Sequence, residues 1–132
     1  METILVTGGR GFIGKTVVRH LVNDGIKDKI IVLDRLKGDS DYMADIICTE
    51  NVKIIESDLR DYKLVKSIVE ECDIVYHLAA NTKVNVGYNN TSIDYEDNIV
   101  ATRNVLESMH ESSKCKKIIF TSSSTVLSGL IN

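Results

Sequence analysis

The sequence contains little that cross-linking, membrane insertion or metal binding would require. Among its 132 residues there is no proline, and the only three cysteines, Cys48, Cys72 and Cys115, are far apart and form no Cys-x-x-Cys pair. An odd, scattered set of thiols favours a reducing compartment over disulfides, and we expect no metal site. No apolar run approaches the roughly 18 residues of a membrane span, and the acidic second residue argues against a signal peptide. These absences predict a cytoplasmic protein without a membrane partner.

An excess of positive charge is also absent. Lysine and arginine total 16 against 19 aspartates and glutamates, for a net charge of −3. Binding to nucleic acid needs a clustered basic face, and the densest basic group, Lys114, Lys116 and Lys117, is expected to be the solvated start of a strand. With 43% hydrophobic and 27% charged residues, the composition is that of a folded globular domain, which excludes disorder. The missing proline, against an average usage of about 5%, is consistent with an incomplete chain.

Five short apolar runs alternate with segments of helical periodicity. The runs predicted as strands are Ile4–Val6, Ile30–Leu33, Val52–Ile55, Asp73–Leu78 and Lys117–Thr121. Strands that are buried on both faces and joined by helices indicate a doubly wound parallel α/β sheet. The predicted strand order is 3-2-1-4-5, with the ligand crevice beside strands 1 and 4.

The connections are predicted from apolar spacing and capping residues. The first helix has its apolar positions at Phe12, Ile13, Val17, Val18, Leu21 and Val22. A long last helix, from about Ser92 to His110, has them at Ile93, Ile99, Val100, Val105, Leu106 and Met109. Between these two helices we expect a short helix around Tyr42–Ile47, a helix capped by Asp61, and a polar loop containing Gly87 and the pair Asn89-Asn90.

The turn after the first strand is rich in glycine. From Thr7 to Gly14 it reads Thr-Gly-Gly-Arg-Gly-Phe-Ile-Gly, which fits both G-x-G-x-x-G and G-x-x-G-x-x-G. Such a turn lets a pyrophosphate approach the backbone at a helix N-terminus, where free N–H groups favour negative charge. Asp34, 20 residues after Gly14, would accept hydrogen bonds from ribose hydroxyls and repel a 2′-phosphate. The pattern predicts a site that prefers NAD to NADP, although Arg10 and Arg35 are close enough to pair with such a phosphate.

Five motifs follow one another along the chain. They are Thr7-Gly8-x-x-Gly11-x-x-Gly14 after the first strand, Asp58-Leu59 after the third, His77-Leu78-Ala79-Ala80 after the fourth, Asn98–Glu107 on the last helix and Phe120–Val126 after the fifth strand. In this order they resemble the motifs of the extended short-chain dehydrogenases/reductases, the family of NAD-dependent nucleotide-sugar epimerases and dehydratases. The family pattern N-x-x-G-T-x-N-x-L-E has Ala101 in place of its glycine here. The resemblance implies a Rossmann-type fold.

The resemblance also implies roles for individual residues. Those expected to bind the implied cofactor, NAD, are Gly8, Gly11, Phe12, Ile13, Gly14, Asp34, Asp58, Leu59, Leu78, Ala79, Ala80, Asn98, Thr121 and Ser122. Ser123 lies in a segment similar to that of UDP-glucose 4-epimerases, and it would hydrogen-bond the 4-oxygen of a UDP-sugar, whose proton passes to a tyrosinate activated by a lysine. His77 is expected to be a packed, hydrogen-bonded structural residue.

The resemblance breaks after Val126. The family continues with Tyr-Gly and a Y-x-x-x-K pair on the next helix, whereas this chain reads Leu-Ser-Gly-Leu-Ile-Asn over 127–132. We therefore expect residues 1–132 to be a single NAD-binding domain, truncated after strand 5, inactive alone and lacking the C-terminal sugar-nucleotide domain. The pair Tyr62 and Lys66 also has Y-x-x-x-K spacing, but it stands in the wrong chain order and is expected to be one turn of an amphipathic helix.

Three functions stay open from the residues. The chain is the NAD-binding portion of a nucleotide-sugar epimerase or 4,6-dehydratase, a stand-alone NAD-binding module that works through a partner chain, or part of a reductase on another small substrate. The segment ending at Val126 favours a 4-epimerase, because a dehydratase would carry an acidic pair where Ser124 and Thr125 stand. An open edge at Ile118–Phe120 predicts a homodimer or self-association through strand 5.

Overall fold

Strands and helices alternate through the computed structural model, which describes residues 1–24, 28–35 and 49–127. The strands are β1 (Thr3–Thr7), β2 (Lys29–Asp34), β3 (Val52–Glu56), β4 (Ile74–His77) and β5 (Lys117–Phe120). The helices are α1 (Phe12–Asn23), α2 (Tyr62–Glu71), α3 (Val84–Asn89), α4 (Thr91–Asp94), a π-helical segment (Tyr95–Val100), α5 (Ala101–Glu111) and a 3₁₀ turn (Ser124–Leu127). None of these helices is long and apolar enough to cross a membrane.

The five strands form one parallel sheet in the order β3-β2-β1-β4-β5, which confirms the predicted order. At its centre Leu5 of β1 lies between Ile31 of β2 and Val75 of β4. Because all strands run in one direction, the loops that follow them meet at a single edge of the sheet. The chain changes direction there between β1 and β4, which is where doubly wound sheets form a crevice.

Both faces of the sheet are covered at the central strands β1 and β2, so successive residues of these strands enter different cores. On one face Leu5 and Val75 pack with Val65 of α2 and Val105 of α5. On the other face the core is formed by Ile4, Val6, Ile30 and Val32 with Val18 and Leu21 of α1. A strand buried on both faces needs an uninterrupted apolar run, which explains why the runs in the sequence predict the strands directly.

The long last helix differs from its prediction. Instead of one α-helix from Ser92 to His110, the structure has α4, a π-helical segment and α5 in succession. The positions that α5 buries are Ala101, Val105 and Ser108. Ile99 and Leu106, predicted on the apolar face, are 57% and 49% exposed.

Two further expectations are corrected. The polar loop expected around Gly87 and Asn89 is helix α3, and Asn90 then caps α4 by accepting a hydrogen bond from the Ser92 amide. Phe12 and Ile13, predicted on the apolar face of α1, are 92% and 57% exposed. They occupy the first turn of α1, which stands at the edge of the sheet and has no core to cover.

Other expectations agree with the structure or lie outside it. Asp61 caps α2 by accepting a hydrogen bond from the Leu64 amide at 3.2 Å, as predicted. Cys72 and Cys115 are buried free thiols, and burial raises the pKa of Cys72 to about 12. The helix expected around 42–47 lies outside the described residues.

The central position of Leu5 is tested by comparing one substitution at two sites. Leu5 is fully buried and Leu106 is 49% exposed. Leu5→Ala is expected to lower the free energy of unfolding by about 2–5 kcal/mol, because it leaves a cavity between strands and helices. Leu106→Ala is expected to change it by less than about 1 kcal/mol. Urea denaturation measures both, and equal losses would contradict the assignment of the core.

Candidate functional site

The glycine-rich turn after β1 depends on the conformation of Gly8. Its φ is +66°, the left-handed region that favours glycine. Its N–H donates to the Leu33 carbonyl at 2.9 Å, and its own carbonyl accepts from the Gly11 amide at 3.0 Å. A Cβ at Gly8 would lie 2.8 Å from backbone atoms of Ala79. The turn therefore packs backbone to backbone against the loop that follows β4.

Close approach of backbone also explains Gly14. A Cβ there would overlap the Gly8 carbonyl oxygen and would lie 2.6 Å from the Cα of Gly9. Helix α1 begins at Phe12 with extended Gly11 as its N-cap, and its first turn carries no acidic side chain. The turn thus brings the positive end of a helix dipole to the sheet edge, where it is suited to an anion.

A chain of buried and partly buried hydrogen bonds joins the residues at this edge. Thr7 Oγ1 lies 2.8 Å from His77 Nδ1, and His77 Nε2 lies 2.9 Å from Thr102 Oγ1. Thr7 Oγ1 also accepts hydrogen bonds from the Leu78 and Ala79 amides at 3.2 and 3.3 Å. Because that oxygen already accepts two bonds, we assign the Thr7 hydroxyl as the donor and His77 Nδ1 as the acceptor. The ring proton is then on Nε2, which donates to Thr102.

His77 is neutral in this environment. It is 1% exposed, and its ring stacks on Phe120 with a centroid separation of 5.8 Å. Burial lowers the pKa of His77 from 6.5 to about 4. The residue is therefore a packed, hydrogen-bonded link between β1, β4, β5 and α5, in agreement with the expectation for it.

Two arginines near the end of β2 lie beside carboxylates. Asp34 is buried, and its carboxylate accepts a hydrogen bond from the Arg10 amide at 3.0 Å. The Arg10 guanidinium lies 3.9 Å from the Glu56 carboxylate. Arg35 donates two hydrogen bonds to Asp97 of the π-helical segment, at 2.7 and 2.6 Å, and this pairing raises the pKa of Arg35.

Two residues predicted to bind the cofactor, Asp58 and Leu59, lie in the loop after β3 in different environments. Asp58 accepts hydrogen bonds from the side chain of Arg60 at 3.0 and 2.7 Å, and this pairing lowers the pKa of Asp58. Leu59 is 7% exposed and belongs to the core. The Leu59 carbonyl accepts a hydrogen bond from the Asn104 side chain at 2.9 Å, which ties this loop to α5.

Asn98 belongs to a group of three polar side chains. Its Oδ1 accepts from the Asn81 amide at 2.7 Å, and its Nδ2 donates to Asp94 at 3.2 Å. The Asn81 side chain donates to the same Asp94 oxygen at 2.8 Å. Together with Thr102 and Asn104, Asn98 fastens the last helical stretch to three separate places on the sheet edge.

Several of these partners carry no signal in the sequence. Asn81, Asp94, Asp97 and Arg60 are absent from the predicted site, because single polar residues in loops and helix turns have no periodic pattern. Asn98 and Thr102, however, are four residues apart and so share a helix face, which is a usable sign that both point at the sheet.

The remaining predicted residues lie at the same edge without converging on one point. Leu78 and Ala79 are half-buried, whereas Ala80 is exposed. Thr121, Ser122 and Ser123 follow β5 directly and are exposed. The parallel topology brings them to the edge that carries the glycine-rich turn, beyond β4.

Tyr62 and Lys66 form a structural pair with α5. The Lys66 ammonium forms an ion pair with the Glu111 carboxylate. Desolvation and Glu111 raise the pKa of Tyr62, and Glu111 raises the pKa of Lys66. A tyrosinate base needs a lowered tyrosine pKa, so these residues are an inter-helix contact, as their chain order predicts.

A parallel sheet that changes direction beside a glycine-rich strand-to-helix turn defines a dinucleotide-binding protein of the doubly wound class. Residues 4–129 match the sequence pattern of the NAD dependent epimerase/dehydratase family. The chain belongs to this family, which confirms the resemblance seen in its motifs.

Known relatives include both kinds of enzyme in the family name. The chain is 37% identical over 140 residues to a dTDP-D-glucose 4,6-dehydratase of Dictyostelium discoideum, covering 99% of this chain and 31% of that relative. It is 37% identical over 122 residues to a UDP-glucose 4-epimerase of Halalkalibacterium halodurans, covering 90% and 34%. A solved UDP-Glc/GlcNAc 4-epimerase of Campylobacter jejuni superposes with a TM-score of 0.83 at 32% identity, over 94% of this chain and 38% of that one. The chain spans about a third of the length of the curated relatives it matches.

The residues at the sheet edge fit the family cofactor, NAD. A UDP-glucose 4-epimerase of Thermus thermophilus, solved in complex with NAD, superposes with a TM-score of 0.77 at 31% identity, over 92% of this chain and 37% of that one. In this chain the first turn of α1 offers backbone N–H donors beside Gly8 and Gly14, where close backbone packing leaves no room for a side chain at either position. A carboxylate, Asp34, stands at the end of the neighbouring strand β2.

The neutral state of His77 predicts a specific loss of stability in acid. The unfolded chain takes up a proton on His77 near pH 6.5, whereas the folded chain does so only near pH 4. The folded state therefore loses stability as the pH falls through this window, by about 2 kcal/mol at pH 5. In His77→Gln, which cannot titrate, the loss between pH 7.5 and pH 5 should be smaller by that amount. Urea denaturation at both pH values tests this, and an identical loss in both proteins would contradict it.

Proposed function

We propose that residues 1–132 are the NAD-binding part of a nucleotide-sugar 4-epimerase, folded as one domain, with the sugar-nucleotide domain outside them. The observation that carries this proposal is the pairing of the Gly8–Gly14 turn with Asp34 at one sheet edge. A helix N-terminus without acidic side chains suits a pyrophosphate, and a carboxylate on the next strand suits ribose hydroxyls.

Roles within this proposal follow the positions of the residues. The amides of Phe12, Ile13 and Gly14 hold the pyrophosphate at the start of α1. The remaining residues proposed to contact the cofactor are Gly8, Gly11, Asp34, Asp58, Leu59, Leu78, Ala79, Ala80, Asn98, Thr121 and Ser122. Asp58 accepts hydrogen bonds from the Arg60 guanidinium on both carboxylate oxygens, so its carboxylate stays charged beside the adenine.

Ser123 is proposed to act on the substrate. Bound NAD supplies a hydride acceptor for C4 of the sugar, whose 4-hydroxyl must lose its proton in the same step. Ser123 follows β5 and is exposed at the crevice edge, where its hydroxyl would hydrogen-bond that oxygen. A Tyr-x-x-x-Lys pair after β5 is not part of residues 1–132, so we expect these residues alone to leave UDP-glucose unchanged.

The choice of 4-epimerase over 4,6-dehydratase depends on the segment after β5. Ser124 and Thr125 stand where a dehydratase would carry an acidic pair. Nothing in the described part of the chain favours the other two functions, a stand-alone module with a partner chain or a reductase on another small substrate.

Calorimetric titration of the chain with NAD, NADP and UDP-glucose tests the proposal. We expect NAD to bind more tightly than NADP, because Asp34 opposes a 2′-phosphate, and we expect no heat from UDP-glucose. Gly11→Ala is expected to weaken NAD binding at least about tenfold, since a methyl group would stand where the pyrophosphate approaches.

A matched glycine separates binding from folding in this test. Gly11 has φ −72° and ψ 176°, which any residue adopts, and a Cβ there would meet only the Gly8 carbonyl at 3.2 Å. Gly11→Ala should therefore cost less than about 1 kcal/mol of stability, whereas Gly14→Ala, whose Cβ overlaps backbone, should cost more than about 2 kcal/mol. The proposed pyrophosphate site at the Gly8–Gly14 turn would be refuted if Gly11→Ala kept the wild-type affinity for NAD. It would also be refuted if the wild-type chain bound no NAD.

We also propose that two copies of this chain associate through β5. Within the described residues β5 pairs with β4 alone, and Ile119 and Phe120 are 38% and 56% exposed. An open apolar edge is a template for a second strand. Light scattering is expected to show a concentration-dependent dimer that Ile119→Lys weakens and the helix variant Leu106→Lys does not. A monomer at all concentrations would contradict the proposal.

A further inference from the structure

We propose that Asp97 determines cofactor specificity by holding Arg35 away from the 2′-position of the adenosine ribose. This inference rests on the proposed dinucleotide site and adds to it a residue outside the family motifs. In the sequence, Arg35 follows Asp34 directly and is a candidate partner for a 2′-phosphate, which would favour NADP. In the structure the guanidinium of Arg35 pairs with the carboxylate of Asp97.

The contact between Arg35 and Asp97 is bidentate and long-range. Two guanidinium nitrogens of Arg35 lie 2.7 and 2.6 Å from the two carboxylate oxygens of Asp97, 62 residues further along the chain. The side chain of Asp97 is 9% exposed and that of Arg35 is 49% exposed. The carboxylate is thus largely enclosed, and the arginine contacts it from the solvent side.

Asp97 lies in the π-helical segment, which runs along the sheet edge between two loops. Asp97 and Asn98 are neighbours in sequence, yet Asp97 bonds to Arg35 after β2 and Asn98 bonds to Asn81 after β4. Adjacent side chains of a helix point in different directions, so the pair can reach two loops of the same sheet edge. Asp97 therefore reaches across the crevice to the strand whose end carries Asp34.

The bidentate Asp97 carboxylate occupies the same pair of guanidinium N–H donors of Arg35 that a phosphate would use. A 2′-phosphate must displace Asp97 from Arg35 before it gains that partner, and it meets the charge of Asp34 while doing so. The other nearby arginines are also engaged with carboxylates, since Arg10 lies beside Glu56 and Arg60 beside Asp58. The discrimination against NADP thus has two parts, repulsion by Asp34 and sequestration of Arg35.

The test is the ratio of the dissociation constants for NADP and NAD, measured by calorimetry on the whole chain. In Asp97→Asn the carboxylate charge and one acceptor oxygen are lost while the shape is kept. We expect the ratio to fall about tenfold, because the released Arg35 adds a charge-assisted contact to the 2′-phosphate. In the double variant Asp97→Asn with Arg35→Ala, the ratio should return to within about twofold of the wild-type value.

Two single variants provide the controls. Glu96→Gln removes the same charge one residue away and leaves the Arg35–Asp97 pair in place, so the ratio should stay within about twofold of wild type. Arg35→Ala should also leave the ratio within about twofold, because the arginine is already withdrawn from the ribose. This last variant keeps the proposal testable if Asp97→Asn does not fold.

The outcomes separate this inference from the function on which it rests. An unchanged ratio in Asp97→Asn, an equal shift in Glu96→Gln, or a several-fold loss of NADP affinity in Arg35→Ala would each overturn the role of Asp97 while NAD binding stands. A wild-type chain that binds neither dinucleotide would overturn the proposed function and the specificity role together.

Discussion

The hydrogen-bond chain from Thr7 through His77 to Thr102 is the contact on which the rest of the sheet edge depends. The ladder between β1 and β4 ends at Thr7 and His77, so other contacts must fix the loops that follow these two strands. Here one hydroxyl accepts from two amides of the β4 loop and donates to a buried ring, which in turn donates to α5. The Gly8 turn packs against backbone of that same loop, so its shape follows from this chain.

The helical stretch 91–111 extends the same principle over the whole edge. Its polar side chains fasten it to the ends of four strands: Asp97 to the residue after β2, Asn104 to the loop after β3, Asn98 to the loop after β4, and Thr102 through His77 to β1 and β4. Each of these bonds is directional, so the helix is placed by several independent constraints and not by apolar packing alone. Two large apolar residues of this stretch, Ile99 and Leu106, remain exposed, which is consistent with that arrangement.

The electrostatic character of the crevice also arises from pairings across the fold. Arginines follow or flank three of the acidic residues at the edge, and each is engaged by a carboxylate. The helix dipole of α1 adds a positive feature at the turn, which favours an anion there. Family membership and the fit of the glycine-rich turn both point to NAD.

The sequence by itself determined which segments are strands buried on both faces, and it determined the glycine-rich turn. These features follow from local rules: a strand buried on both faces must be an apolar run, and a turn with a positive φ or a backbone contact must be glycine. Only the tertiary structure decided that the last helix contains a π-helical segment, that Phe12, Ile99 and Leu106 face outward, and that Arg35 pairs with Asp97. The physical reason is that these outcomes depend on partners up to 62 residues away, whose positions no local periodicity encodes.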